Sequence, residues 1–249
     1  EGREVRVFEA RHRIGGRAHT VTDPATGLAV DLGPSWFWPE TQPLMRDLIR
    51  DLGLGHYPQH DRGAVLYLTD PEQGAEVGGT DPVHAGAHRI EGGVGALVAA
   101  LAGRLPRGTL ALGHRLDTVA QTGPTCTLRF ATDTGQVEVT ALKVILALPP
   151  RIIAETVQFA PTLSPGTRHA MAETETWMAG QAKAVMTYPR ALWRNAGQSG
   201  NAFVAHERAV LGEIFDLSGP DGTPGALGGF YALDPETRTS FAAGLPTLI

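Results

Sequence analysis

The chain of 249 residues contains one cysteine, Cys126, so an internal disulfide is excluded and a cysteine-built metal centre lacks its second ligand. In the alternating run Thr125-Cys126-Thr127-Leu128 it reads as a buried structural thiol. No apolar run reaches the ~18 residues needed to span a bilayer, and the opening residues carry no signal-like apolar stretch. No membrane segment is expected, and a cytoplasmic location is the default expectation. There is no surplus of positive charge: 21 Lys and Arg against 26 Asp and Glu give a net charge of −5, and the one dense Arg/His cluster lies within residues 11–19. Nucleic acid is therefore not an expected partner. GxSxG, HExxH and Walker motifs are all missing. The nine histidines are scattered, and Pro58 between His56 and His60 spoils a helical metal face, so no metal site is expected.

What the chain does have is the content of a globular protein, 42% hydrophobic and 19% charged, with length for one to two domains and a sizeable core. Its most informative stretch is VRVFEARHRIGGRAHT, Val5 to Thr20. A strand Val5–Phe8 delivers Glu9 to its carboxyl end, where a carboxylate can accept hydrogen bonds from the ribose hydroxyls of a dinucleotide. Gly15 and Gly16 let the backbone approach a pyrophosphate, and Arg11, Arg13 and Arg17 supply guanidinium groups that grip phosphate bidentately. The acid of a Rossmann fingerprint stands about 20 residues after its glycine-rich loop, yet only eight residues precede Glu9. Glu1-Gly2-Arg3-Glu4 reads as the end of a helix with Gly2 as its stop. The first strand, the phosphate loop and most of the first helix are thus expected to be absent from this chain. Taken alone, the same residues also suit a solvated strand end followed by a basic loop.

The other motifs, in their order along the chain, supply the context. Glu9-Ala10-Arg11, Gly15-Gly16-Arg17 and Asp31-Leu32-Gly33 are followed by Glu91-Gly92-Gly93 with Leu97 and by Ala147-Leu148-Pro149-Pro150 at a strand end. Met178 to Lys183 and then Leu192-Trp193-Arg194 complete the set. In this order and spacing the chain resembles the flavin-containing amine oxidases, which include monoamine and polyamine oxidases, over nearly its whole length. The resemblance implies FAD as cofactor, with Glu9, Arg11, Gly15, Gly16 and Arg17 on the adenosine diphosphate half. It implies Gly33, Pro34, Ser35 and Trp36 in a loop running past the isoalloxazine, and the backbone of Leu116 facing the adenine. In amino-acid oxidases of the same superfamily an arginine at about the place of Trp36 holds the substrate carboxylate; an indole cannot, which favours amines without a carboxylate. Trp36, Phe37 and Trp38 read equally well as core anchors.

Along the chain, Thr41 to Leu52 is expected to be a helix with Leu44, Leu48, Ile49 and Leu52 on one face and Gly53 as its stop. Between Gly55 and Arg89, where better-known family members insert a helical cap over the substrate cavity, the chain offers about 35 residues rich in Gly, Asp and Pro with one strand, Ala64 to Leu68. No large helical lid is expected. A second helix, Val94 to Leu105, has Leu97, Leu101 and Leu105 at helical spacing and leaves backbone N–H groups free at Gly92 and Gly93. Strands at Leu110–Leu112, Asp117–Val119, Cys126–Ala131 and Val137–Thr140 make a β-meander that joins a central sheet through Lys143–Leu148, which Pro149-Pro150 ends before a crossover. Two further strands are expected at Gly180–Tyr188 and Gly212–Leu217, with a hairpin connection from Asp216 to Gly225.

Lys183 is the candidate catalytic residue. The run GQAKAVMTY places it with Val185 on one face of a strand, and Ala182, Ala184 and Met186 on the other. A buried ammonium costs several kcal/mol unless it is paired or loses its proton, so a lysine in so apolar a strand needs a reason. An edge strand with its amine in solvent would be sufficient reason. The resemblance supplies another: the family has a lysine five residues after a methionine here, hydrogen-bonded through water to flavin N5.

The expected architecture is α/β: a glutathione-reductase-like FAD/NAD(P)-binding Rossmann-type domain (1–55 and 88–160) interleaved with a mixed-sheet α+β substrate domain (56–87 and 161–249). Both are expected to be incomplete, because the chain stops before the family's C-terminal flavin-binding segment. The implied reaction is hydride transfer from the α-carbon of a small-molecule amine to the flavin, with dioxygen as electron acceptor giving imine or aldehyde and hydrogen peroxide. A homodimer is an open assembly. Rival readings are a same-fold desaturase or porphyrinogen-type oxidase, which lack the lysine, a nicotinamide-dependent dehydrogenase, and a truncated, non-catalytic piece.

Overall fold

Strand and helix order follow from where proline and glycine interrupt the apolar pattern. The computed structural model describes residues 3–244, so the helix end read at Glu1 and Gly2 lies outside the described residues. In chain order the elements are β1 (Val7–Phe8), β2 (Thr20–Thr22), β3 (Ala29–Asp31), α1 (Pro43–Asp51), β4 (His56–Pro58), β5 (Ala64–Leu68), β6 (Glu76–Val77), β7 (His88–Ile90) and α2 (Val94–Gly103). The meander follows as β8 (Leu110–Ala111), β9 (Arg115–Thr122), β10 (Thr125–Thr132) and β11 (Gly135–Ala141), then α3 (Pro150–Thr156), β12 (Gln158–Ala160) and α4 (Pro165–Glu173). The last elements are β13 (Lys183–Tyr188), α5 (Leu192–Asn195), β14 (Gln198–Val204), β15 (Leu211–Asp216), β16 (Gly225–Tyr231) and α6 (Pro235–Gly244).

These elements form two compact units. The first takes the chain up to Ile14 together with Ala102–Ala179. In it β1 pairs parallel with β8, Val7 opposite Leu110, and a four-stranded sheet runs β11-β10-β9-β12. Alternation along β9 and β10 turns Val119, Leu128 and Phe130 inward against Ile153 and Val157, with Phe8, Leu116 and Met171 closing the edge of this core. The second unit takes Gly15–Leu101 and the chain from Gly180 onward. Its main sheet runs β13-β16-β15-β14-β5-β6, with β13 at one edge, paired to β16 along its full length from Lys183 opposite Phe230 to Tyr188 opposite Gly225. Val30, Phe215, Leu217 and Ala226 form one apolar cluster there, and Phe37, Ile49, Ile90 and Leu97 another.

Several expectations are corrected. The first strand is only Val7–Phe8 rather than Val5–Phe8, because its ladder covers two residues of β8. Residues 143–148 form no strand: Val144 and Leu146 turn towards the first unit's core, but the segment pairs with no strand among the described residues, and Ile145 is 92% exposed. Sidedness without a partner is not a ladder. Pro149-Pro150 does more than end an extended stretch, since Pro150 occupies the first turn of α3, where a missing N–H is harmless. In α1 the inward face is Met45, Leu48, Ile49 and Leu52, spaced i, i+3, i+4, i+7, and Leu44 is 86% exposed. In α2 Leu97 is buried, but Leu101 is exposed and Leu105 lies beyond the helix end.

Candidate functional site

The second unit gathers most of the chemistry around the turn that leaves β3. Thr20 and Asp31 face each other across the β2–β3 pair, and the Thr20 hydroxyl donates to the Asp31 carboxylate. That carboxylate also accepts from the backbone N–H of Val94 at 2.9 Å, while Thr20 Oγ1 accepts from the N–H of Gly95 at 2.7 Å. The first amides of α2 are thus capped by two side chains of the neighbouring hairpin, and the Gly93 N–H, expected to be free, donates to the Ile90 carbonyl at 2.9 Å. Burial pushes the Asp31 carboxyl above its ordinary range, against the hydrogen bonds from Thr20 and Val94 and the attraction of Arg89 and Lys183.

Gly33 follows at a crossing of two backbones: a Cβ there would stand 2.0 Å from the Arg17 carbonyl oxygen, so no side chain fits. This brings Gly33 against Arg17, itself exposed beyond Gly15 (φ +95°) and Gly16 (φ +56°). Pro34 is exposed, Ser35 buried and Trp36 half-buried. Trp36 stacks on His84 at 4.3 Å and meets Phe215 edge-on, and its Nε1 donates to Gln59 at 2.9 Å. It is therefore packed as a core anchor on at least one face.

Lys183 completes this cluster. Although β13 is an edge strand, its amine does not run into solvent. Nζ donates to the Gly33 carbonyl at 2.6 Å and to Ser35 Oγ at 2.8 Å, and reaches the Asp31 carbonyl at 3.3 Å. The rings of Trp36, Phe215 and Phe230 stand 5.7, 5.4 and 5.5 Å away, within cation–π range. Burial lowers its pKa from 10.5 to about 8, with Arg89 adding to the fall and Asp31 and Glu213 opposing it. A lysine so placed changes protonation within reach of neutral pH, as general acids and bases must.

Sequence reading passed over the second charged feature of this unit. Asp216, at the end of β15, is fully buried and receives Arg194 through two contacts, 2.8 and 2.9 Å, together with Trp193 Nε1 at 2.8 Å and the N–H of Ser218 at 2.8 Å. The signal was an acid at the end of an apolar strand, entering a Gly/Pro turn.

The first unit holds the other candidates. Glu9 follows β1; its carboxylate accepts from the Arg11 N–H at 2.8 Å, with the Arg11 guanidinium at 3.9 Å. Leu116 sits in β9 opposite Phe130, its side chain against the core. Among the described residues no group of three or more His, Cys, Asp or Glu is disposed to hold a metal ion, and no helix is long and apolar enough to cross a membrane.

A sequence model of the family described as flavin containing amine oxidoreductase matches residues 1–82 and 74–241. The chain belongs to that family. The two matched stretches overlap inside the segment 55–89, where no large helical lid was expected and the structure has the strands β4 to β7. A putrescine oxidase from Kocuria rosea is 24% identical over 349 residues, covering 98% of this chain and 71% of the relative. Those 349 positions exceed the 249 residues of this amine oxidoreductase by 100, so the relative carries at least that many residues opposite gaps. Among solved structures, a cyclohexylamine oxidase from Brevibacterium oxydans IH-35A superposes with a TM-score of 0.78 at 18% identity, over 98% of this chain and 73% of that one. A putrescine oxidase bound to putrescine does so with a TM-score of 0.76 at 18% identity, over 99% and 73%. The fold is the glutathione-reductase-like α/β fold of the FAD-dependent amine oxidases, and the cofactor is FAD.

The residues present fit that cofactor. Glu9 stands at the carboxyl end of the parallel pair β1–β8, the position from which α/β sheets present an acid to a ribose. Gly16 combines a left-handed φ of +56° with open space where a Cβ would lie, leaving room for a phosphate to approach the backbone.

Proposed function

We propose that this amine oxidoreductase oxidises a small amine lacking a carboxylate, and that Lys183 with the Asp31–Trp36 turn forms the reacting end of its site. The relatives are named for putrescine and cyclohexylamine, so both a diamine and a monoamine lie within reach of this fold. When bound, FAD would supply the hydride acceptor and the two-electron route to dioxygen, so that amine, water and oxygen would become aldehyde, ammonia and hydrogen peroxide. Glu9 would hold the ribose, and Arg11, Gly15, Gly16 and Arg17 the pyrophosphate. The backbone of Leu116 would face the adenine, while Gly33, Pro34, Ser35 and Trp36 would line the flavin ring. In this reading 1–55 and 88–160 serve the cofactor and 56–87 and 161–249 the substrate.

One observation carries the reading: an edge-strand lysine whose amine is drawn inward onto Gly33 and Ser35 and whose pKa falls to about 8. A merely solvated lysine would not bind the turn that bears the flavin-facing residues of the family. Lys183 holds its proton below about pH 8, and its third donor, which reaches only the Asp31 carbonyl at 3.3 Å, is the one a water molecule would take. The rings of Trp36 and Phe230 flank the amine at 5.7 and 5.5 Å. Loading the chain with FAD and adding a primary amine without oxygen tests the proposal: the oxidised-flavin absorption should bleach, and Lys183→Met should slow bleaching at least 100-fold while FAD remains bound. Equal rates in the two proteins would remove Lys183 from the reaction.

A further inference from the structure

The segment 55–89, where no large helical lid was expected, carries a histidine with an arrangement of its own. His84 is 8% exposed, lies flat on the Trp36 indole, and is set between two acids. Its Nδ1 stands 3.7 Å from Asp61 and its Nε2 3.7 Å from Glu213 of β15. At those distances charge attraction acts without a formed hydrogen bond, and Nδ1 is buried with no hydrogen-bond partner. Asp61 is already occupied, accepting from Asn201 Nδ2 and from the backbone N–H of His84, both at 2.6 Å. Glu213 is the more open of the two, with 36% of its side chain exposed against 10% for Asp61.

The acids whose charge reaches Lys183 are Asp31 and Glu213. Asp31 is spent on Thr20 and the start of α2, and nearby Asp216 is spent on Arg194. Of these three acids Glu213 is the one left to serve a second positive charge on a substrate, and it is the more exposed of the two carboxylates that His84 faces. Resting on the oxidase reading above, we propose that His84 is a specificity-determining residue: its imidazolium neutralises Glu213 and so selects monoamines with an apolar remainder over diamines. A second ammonium approaching Glu213 would meet the His84 imidazolium across it, and would lose water for a weakened counter-charge.

Protonation sets the strength of this selection. Burial opposes the charged imidazole, but the facing carboxylates of Asp61 and Glu213 overcome it and raise the His84 pKa above 6.5. The mask is therefore strongest at acid pH and fades as pH rises through the raised value. Above it Glu213 is bare, and diamines gain.

The test compares n-butylamine with 1,4-diaminobutane, equal in carbon chain and differing in the second amine, on the FAD-loaded chain at pH 6 and pH 8.5. The ratio of kcat/KM should favour n-butylamine by tenfold or more at pH 6 and fall at least fivefold at pH 8.5. His84→Gln should give the low ratio at both pH values, and Glu213→Gln the high ratio at both. A proton NMR titration of His84 gives a readout independent of turnover, and its pKa should drop in Glu213→Gln. A diamine preference at pH 6, an unchanged ratio in both variants, or an unmoved His84 titration would each overturn the inference. If the oxidase reading itself fails, neither amine bleaches bound flavin, and the inference falls with it; bleaching with the diamine favoured overturns the inference alone.

Discussion

Two six-residue segments begin with lysine and continue as apolar, strand-like sequence: Lys143 to Leu148 and Lys183 to Tyr188. They end differently. The first keeps its sidedness, with Val144 and Leu146 towards a core, but it pairs with no strand among the described residues, and Lys143 is exposed. The second pairs antiparallel with β16 along its full length, and its lysine is drawn onto the Gly33–Ser35 turn. Alternation tells which side chains share a face. Whether the backbone finds a ladder and the lysine a partner is decided by residues about 40 to 150 positions away.

Substitutions in the two segments should separate accordingly. Lys183→Met is expected to slow flavin reduction by amine at least 100-fold, whereas Lys143→Met should change it less than twofold, as read by stopped-flow absorbance. Next in size is a pH effect on stability. The folded pKa of Lys183, about 8, lies below its unfolded 10.5, so the unfolded chain binds more protons between these values and stability rises with pH across that window. The gain is about 3 kcal/mol at most, measurable by urea unfolding at pH 7.5 and pH 10, and Lys183→Met should abolish Lys183's share of it.

The ladder itself comes third. A Cβ on Gly225, opposite Tyr188, would stand 2.4 Å from the Arg190 carbonyl carbon, so Gly225→Ala should cost about 2 kcal/mol. Ile145→Ala, in the segment without a ladder and at a side chain 92% exposed, should stay within about 0.5 kcal/mol. A smaller effect than that of Gly225→Ala is expected for Ser35→Ala. Losing an oxygen that accepts from the charged amine should move the Lys183 pKa further below about 8 and cost about 1 kcal/mol, which NMR of labelled lysine and denaturant titration would detect.

Much of this was legible beforehand because it is local. The meander β9–β10–β11, strand Ala64–Leu68, the strand bearing Lys183 and the pairing of Lys183 with Val185 on one face follow from period-two patterning and turn residues. The family followed from motif order, which carries information that no single motif holds. The capping of α2 by Thr20 and Asp31 was not legible, since it joins positions 63 and 75 residues apart and uses side chains ordinary in strands. Asp216 and His84 escaped for the same reason: their meaning comes from Arg194, Asp61 and Glu213, which only the fold brings near. Leu44 was misassigned because the sequence admits two overlapping helical faces, and packing chose the one led by Met45.

The most direct test of the account is anaerobic mixing of the FAD-loaded chain with n-butylamine while following the visible flavin band. Bleaching in the wild-type chain that is at least 100-fold slower in Lys183→Met is the predicted result. Bound FAD that no amine bleaches, or bleaching that Lys183→Met leaves unchanged, would contradict it.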